Sequence, residues 1–327
     1  MATAEIRRAD ELSRPVEAAD VIAAYLAELD ATPKTRDVYR RALARFASWL
    51  DARGLPINQT TRAHVVAYKK ELEATRSAAT VNLYLVAVRG LYGWLDANGA
   101  YPNVARDVRG VRKHAALGHD ALTIEQAKAV LSDHGSGEEA ARDYAMVNLM
   151  ARRGLRTIEV ARADVGDIRQ MAGQSVLYVQ GKGHASKDDF VILGEECLAP
   201  IRDYLTQRGH VTDDEPLFAS MGNRNHGGRV TTRTVSRVVK EAYARQGISD
   251  PHITAHSLRH TAVTLSLVGG ASLQEAQAMA RHANISTTLI YAHNLKRMEA
   301  GAERSVDKVL AAASEDSKPG HKWFGRW

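Results

Sequence analysis

Helical periodicity along nearly the whole length constrains this chain more than any other feature. Apolar residues recur three and four positions apart in stretch after stretch, and only two short segments read clearly as strands. Val21 to Leu29 carries the pattern first. After Pro33, Lys34 to Leu50 repeats it, with Tyr39, Leu43, Phe46 and Leu50 on one face and Arg36, Arg40, Arg41 and Arg45 around the other. Ala63 to Leu72 and Ala78 to Leu95 follow, the latter stopping before Asn98-Gly99. Four helices in so short a span predict a compact helical bundle over residues 15–102.

Residues 103–120 lose the periodicity and turn basic at Arg106, Arg109, Arg112 and Lys113, which reads as an interdomain linker. A second domain, 121–313, opens on Thr123-Ile124-Glu125-Gln126, a capping-box signature for a helix running to about Leu131. Helices are predicted next over Glu138 to Arg153, closed by Gly154, and over Thr157 to Ala163. The strand candidates, Ser175 to Gln180 and Asp189 to Leu193, flank a turn of small and basic residues, Gly181 to Lys187. From Ala199 onward the reading is helical again, over 199–207, 232–246, 256–268, 272–281, 286–299 and 302–313. The polar end, 314–327, reads as a mobile tail.

With 327 residues and 45% hydrophobic content, the chain can bury a core in each of two domains. No apolar run is long enough to span a bilayer. The start, MATAEIRRADEL, lacks the apolar stretch of a secretory signal, which predicts a cytoplasmic protein without a membrane partner. The lone Cys197 excludes an internal disulfide framework and a cysteine-based zinc site. A net charge of +6 and a sequence pI near 9.4 permit a polyanionic partner without requiring one.

Five short segments carry potential chemistry. Gly154-Leu155-Arg156-Thr157-Ile158-Glu159 sets an arginine at a helix junction, where its fork can meet a phosphate and Glu159 can orient it. Lys182, in a Gly-Lys-Gly turn, can reach a leaving oxygen. In His256-Ser257-Leu258-Arg259-His260, positions 256 and 259 share a helix face, so an imidazole and a guanidinium can converge on one anion. The two histidines lack the carboxylate of a metalloprotease motif, which argues against metal. His282 and Tyr291 complete the set. Each segment alone has an ordinary structural explanation: a surface ion pair, a solvated turn, a core tyrosine.

Together, Arg…Lys…His-x-x-Arg…His…Tyr in that order resembles the tyrosine recombinase, or phage integrase, family and its simple Xer-like members. HSLRHTAVT matches the family's His-x-Leu-Arg-His box, and the run from His282 through STTLIYAH resembles its tyrosine box. The motifs cover residues 119–313. The resemblance implies a mainly α fold, with an N-terminal helical core-binding (SAM-like) domain and a mostly helical catalytic domain holding a small β-hairpin or sheet. It implies Arg156, Lys182, His256, Arg259 and His282 around a DNA phosphate, Tyr291 as nucleophile and Glu159 in support, with no metal and no cofactor. Two departures stand out. Ala280-Arg281 precede His282 in place of the usual Leu-Gly, which bears on that turn. The hairpin is long and carries Asp188-Asp189, which makes Lys187 a rival to Lys182 as general acid.

The implied reaction joins a DNA 3′ end to the phenol oxygen, frees a 5′-hydroxyl and, after two rounds of exchange, makes and resolves a four-way junction. The phosphotyrosyl bond conserves the energy of the broken diester, so no ATP is needed. Arg36, Arg40 and Lys69 are candidates for phosphate contacts from the first domain, the linker for the crossing of the DNA. The stripe Val306, Val309 and Leu310 would dock either on a neighbouring protomer or on its own domain. With no arm-type domain ahead of residue 15, the expected partner is a duplex with two inverted half-sites, bound by a homotetramer. The alternatives are a type IB topoisomerase, an inactive DNA-binding regulator and a metal-dependent nuclease, the last lacking the carboxylates it needs.

Overall fold

The computed structural model describes residues 17–112, 121–181, 186–299 and 302–315. The chain is mainly helical, as expected, and divides between residues 116 and 117 into two compact units.

The first unit holds α1 (Ala18–Glu28), α2 (Pro33–Asp51), α3 (Arg62–Thr75) and α4 (Ala78–Ala97). Thr32, Thr61 and Ser77 fix three of the starts, each accepting a bond from a first-turn backbone N–H, with Pro33 pre-set for the helix it opens. The buried faces are the periodic ones: Leu43, Phe46 and Leu50 of α2 meet Val65 and Tyr68 of α3 and Leu85, Val88 and Tyr92 of α4. Phe46 and Tyr68 pack with ring centroids 4.9 Å apart.

Residues 103–111, expected to begin the linker, pack on this unit instead. Ala105 and Val108 are buried. Asn82 takes both backbone groups of Val111, donating to its carbonyl at 2.9 Å and accepting from its N–H at 2.7 Å. Val104, Ala105, Val108 and Val111 do recur three and four positions apart, but the run is short and broken by charged residues and Gly110, so it reads as a linker. The remainder of the expected linker, 113–120, lies outside the described residues.

The second unit holds α5 (Ile124–Ser132), α6 (Glu138–Arg153), α7 (Thr157–Arg162), an antiparallel sheet and then α8 (Glu195–Arg208), α9 (Thr232–Arg245), α10 (Ala255–Val268), α11 (Leu273–Ala280), α12 (Ser286–Glu299) and α13 (Ala302–Glu315). Every residue of α6 from Ala145 to Ala151 is buried. A helix buried on all sides over two turns, Asn148 included, belongs in the centre of its domain, and α8, α9 and α10 all pack on it.

The sheet has the order β1 (Ile168–Met171), β2 (Gln174–Val179), β3 (Asp189–Leu193). β2 and β3 were expected; β1 was not. Its four residues expose Arg169 and Gln170, too short a run for alternation to show. It joins β2 through Ala172-Gly173, both at positive φ (49° and 77°), with Met171 paired to Gln174. Such a two-residue turn usually advertises itself by Asn or Asp before the glycine, and alanine conceals it. α8 starts at Glu195, ahead of its expected start, because Pro200 lies inside the helix instead of opening it.

No helix among the described residues is long and apolar enough to cross a membrane. On α13, Val306, Val309 and Leu310 are 56%, 68% and 63% exposed, so the stripe does not pack on its own domain. The helix continues through Glu315, and the rest of the expected tail, 316–327, lies outside the described residues.

Candidate active site

Four chain segments of the second unit meet at one place. The first is the α6–α7 junction. Gly154 ends α6 at φ 61°, the left-handed conformation glycine adopts without penalty. The chain then turns so that Arg156 caps α7, and Glu159 reaches back to accept its backbone N–H at 2.8 Å. The same carboxylate accepts from the Arg156 guanidinium through its other oxygen at 2.6 Å.

The second segment is the start of α10, capped by Thr254. It exposes His256 in the first turn and buries Arg259, which is 2% exposed. The Arg259 guanidinium donates to the Gly154 carbonyl at 2.6 Å and to the carbonyl of Ala280. The third segment is the end of α11, where Arg281 takes the left-handed conformation at φ 52°. Its carbonyl accepts from Arg156 at 3.2 Å, and its guanidinium donates to Glu159 at 2.6 Å.

His282 follows, its Nδ1 2.9 Å from the hydroxyl of buried Thr288. Thr288 lies one turn ahead of Tyr291 on α12, the fourth segment. The Tyr291 ring stacks near-parallel to His282 at 6.4 Å between centroids and lies 5.3 Å from the His260 ring. Its hydroxyl is hydrogen-bonded to His260 Nδ1. The His256 ring stands edge-on to His260 at 4.6 Å.

Charge sets the chemistry of this cluster. Burial would push the Glu159 carboxyl up, but Arg281, the Arg156 backbone and the Arg156 guanidinium outweigh it and hold the pKa below the usual carboxylate range. Burial, then the neighbouring Arg156 and Arg281, lower Arg259 to about 9, still protonated at neutral pH. Burial raises the Tyr291 phenol, with Arg259 working against it. The result is a pocket of guanidinium charge beside a neutral phenol, an arrangement suited to an anion and a nucleophile.

His282 is driven down from 6.5 to about 4 by burial and then by Arg259, Arg156, Arg281 and His256. Its sign fixes a pH dependence. Between those values the unfolded chain binds a proton that the folded chain does not, so folding stability falls as pH drops through that window. Replacing His282 by Asn should remove on the order of 1–2 kcal/mol of that acid loss, below the full linkage value because the residue is partly open to solvent. Denaturant unfolding of both proteins between neutral and mildly acid pH measures it, and identical acid sensitivity would contradict the assignment.

Among the candidates named from the sequence, Arg156, Glu159, His256, Arg259, His282 and Tyr291 come together. Lys182 lies outside the described residues. Its rival Lys187 is bound by the carboxylates of Asp164 and Asp167 beside the sheet. Arg36, Arg40 and Lys69, on the first unit, all have partners within it: Arg36 Nε donates to the Leu29 carbonyl at 3.0 Å, Arg40 pairs with Asp37, and Lys69 lies 3.4 Å from Glu73. Three participants had been given no role. His260 lies one turn beyond His256 inside the histidine box, a spacing that places both on one face. Arg281 stands where the family pattern has glycine. Thr288 belongs to the tyrosine box but looks like any helix threonine.

Residues 120–298 match the phage integrase family, and residues 22–99 match the phage integrase N-terminal SAM-like domain. Tyrosine recombinase XerD of Corynebacterium glutamicum is 31% identical over 269 residues, which cover 78% of this chain and 86% of that protein. Among solved structures, the XerH site-specific recombinase bound to palindromic difH substrate, a post-cleavage complex, superposes with a TM-score of 0.71 at 19% identity, covering 88% of this chain and 85% of its own. A lambda integrase tetramer bound to a Holliday junction gives 0.66 at 19% identity, covering 85% and 78%. At those identities the structures speak for the fold, while the sequence matches speak for descent. The chain belongs to the phage integrase family and is a tyrosine recombinase.

Proposed function

We propose that this recombinase cuts and rejoins duplex DNA at specific sites through a 3′-phosphotyrosyl intermediate held by Arg156, His256, Arg259, His282 and Tyr291. The observation that carries the reading is the gathering of four separate segments around one phenol: His260 bonds its hydroxyl, His282 stacks on its ring, His256 packs on His260, and Arg259 acts on its charge while Arg156 is held by the carbonyl of residue 281 next to His282. In the first step the Tyr291 oxygen forms a bond to phosphorus as the bond from phosphorus to the 5′ oxygen breaks. The phenolic proton passes to an imidazole. The hydrogen bond between the Tyr291 hydroxyl and His260 favours His260, rather than His256, for that task. The departing 5′ oxygen takes its proton from Lys182, since Lys187 is committed to Asp164 and Asp167.

Arg156 and Arg259 neutralise the charge that spreads over the phosphate oxygens in the transition state, which permits phosphoryl transfer without a metal. Reversal by a 5′-hydroxyl from a second duplex gives strand exchange, and two such rounds pass through a four-way junction. Assembly as a homotetramer on two inverted half-sites fits the apolar stripe that α13 leaves uncovered and the tetramer of the lambda integrase structure. Arg36, Arg40 and Lys69 keep donors beyond those bonded within their own unit, and the carboxylates beside Arg40 and Lys69 offset part of their charge, which makes those two weaker contributors to phosphate contacts.

The test uses nicked duplexes tiling the DNA that flanks the coding sequence, with the nick placed so that the cleaved fragment diffuses away. A covalent complex should accumulate, and proteolysis with mass spectrometry should place the nucleotide on the peptide containing Tyr291. An adduct at another residue, or none on any duplex, would refute the reading. Junction formation between two intact duplexes separates recombination from simple relaxation.

A further inference from the structure

Arg281 occupies the last place one would look for an arginine. It ends α11 in the left-handed conformation (φ 52°, ψ 49°), which side-chain-bearing residues adopt at a cost and glycine without one. Residues held this way persist where surrounding contacts compensate, and such strain clusters at functional sites. The compensating contacts are explicit. The Arg281 side chain is 4% exposed, one terminal nitrogen donating to Glu159 Oε2 at 2.6 Å and the other to the Met279 carbonyl at 2.6 Å.

Glu159 gives this contact its meaning. Its side chain is fully buried, and its partners are the Arg156 backbone N–H and guanidinium and the Arg281 guanidinium. If Arg156 were the sole cation on a buried carboxylate, the pair would present little net charge to an approaching phosphate. A second guanidinium on the same carboxylate leaves the triad positive. The Arg156 side chain, 27% exposed, is the member that faces outward, while Arg281 stays inside. The backbone of residue 281 adds a second hold, its carbonyl accepting from Arg156 at 3.2 Å.

We infer that Arg281 is a positioning residue for strand cleavage: its buried guanidinium offsets the charge of Glu159, so that the charge of Arg156 remains available to the scissile phosphate. This rests on the phosphotyrosyl reading and extends it to a residue that would not itself touch DNA.

The experiment compares wild type with Arg281→Met, Arg281→Lys and Arg281→Gly, all full length. Each is mixed with a nicked duplex carrying either the ordinary scissile phosphate or a methylphosphonate, which has no charge to neutralise. Adduct formation, DNA binding and thermal unfolding are followed. On the phosphate duplex Arg281→Met should form adduct about 10–100-fold more slowly at saturating DNA, the range usual for residues that orient a reacting group. Arg281→Lys should recover most of that loss. Arg281→Gly relieves the left-handed backbone, so it should fold at least as well as Arg281→Met and be just as slow. On the methylphosphonate duplex the gap between Arg281→Met and wild type should close.

Wild-type rates in Arg281→Met or Arg281→Gly on the phosphate duplex would overturn the proposal. So would an equal deficit on both duplexes, since that is the mark of a merely structural role. In both cases wild type still forms its adduct, and the phosphotyrosyl reading stands. Failure of wild type on every duplex would remove that reading and this proposal with it.

Discussion

Tyr291→Phe should bind the recombination site as wild type does and form no covalent adduct. The substitution removes one oxygen atom. The ring keeps its place against His260 and His282, and the hydrogen bond lost is the one to His260 Nδ1. One hydrogen bond at a half-buried site changes stability by about 0.5–1.5 kcal/mol, so the variant should unfold within a few degrees of wild type. The effect on cleavage is of another order. If Tyr291 is the nucleophile, as proposed, its loss leaves no atom to capture the 3′ end, and adduct should fall by at least about 10⁴-fold, the scale on which loss of a covalent nucleophile is felt. Gel separation of protein–DNA adducts on a nicked duplex reads this directly, with filter binding or mobility shift as the control for occupancy. Adduct at wild-type yield would mean that another side chain attacks, and the role assigned to Tyr291 would be gone.

Most of the architecture was legible because helices announce themselves. The expected spans for α6 and β3 agree with the structure end to end, and those for α2, α4 and α9 within a few residues, since caps such as Thr32 and Ser77 and stops such as Gly154 are written in the sequence. What stayed hidden lacked a period long enough to read. β1 is too short to alternate and is closed by an alanine where Asn or Asp would have signalled the turn. In residues 103–111 the apolar spacing of Val104, Val108 and Val111 covers barely two turns, and the bonds from Asn82 and Arg89 to the backbone leave no mark in the sequence.

The site shows the same division. Arg156, His256, Arg259, His282 and Tyr291 could be picked out because the resemblance orders them along the chain. Their mutual contacts could not, because these depend on backbone carbonyls at Gly154, Ala280 and Arg281 that no side-chain motif records. His260 belongs to the histidine box, yet only the geometry ties it to the phenol.

Those carbonyls make Arg259 the position where fold and chemistry are hardest to separate, and Arg259→Met is expected to damage both. The guanidinium is buried and joins the end of α6, through Gly154, to the end of α11, through Ala280. Methionine fills the volume but takes the side-chain donor from the Ala280 carbonyl and leaves the Gly154 carbonyl with only the long bond from Arg281 at 3.4 Å, a loss of about 1–3 kcal/mol for an unmet carbonyl and less for the one still partnered. Part of that is offset, because Arg156 and Arg281 no longer repel a third cation. A net loss of about 2 kcal/mol follows, lowering the thermal midpoint of a domain this size by several degrees.

Below that transition the protein stays folded, and the rate can be read on its own. On the proposed role of Arg259 in stabilising phosphate charge, its loss should slow adduct formation by about 10²–10³-fold at saturating DNA. Arg259→Lys distinguishes charge from shape. An ammonium restores the cation but is a point donor without the planar fork, so it cannot bridge two carbonyls and a phosphate oxygen together. It should recover stability only in part and leave the rate well below wild type. Wild-type cleavage by Arg259→Lys would show that a positive charge suffices there, and wild-type cleavage by Arg259→Met would show that this guanidinium serves the fold alone.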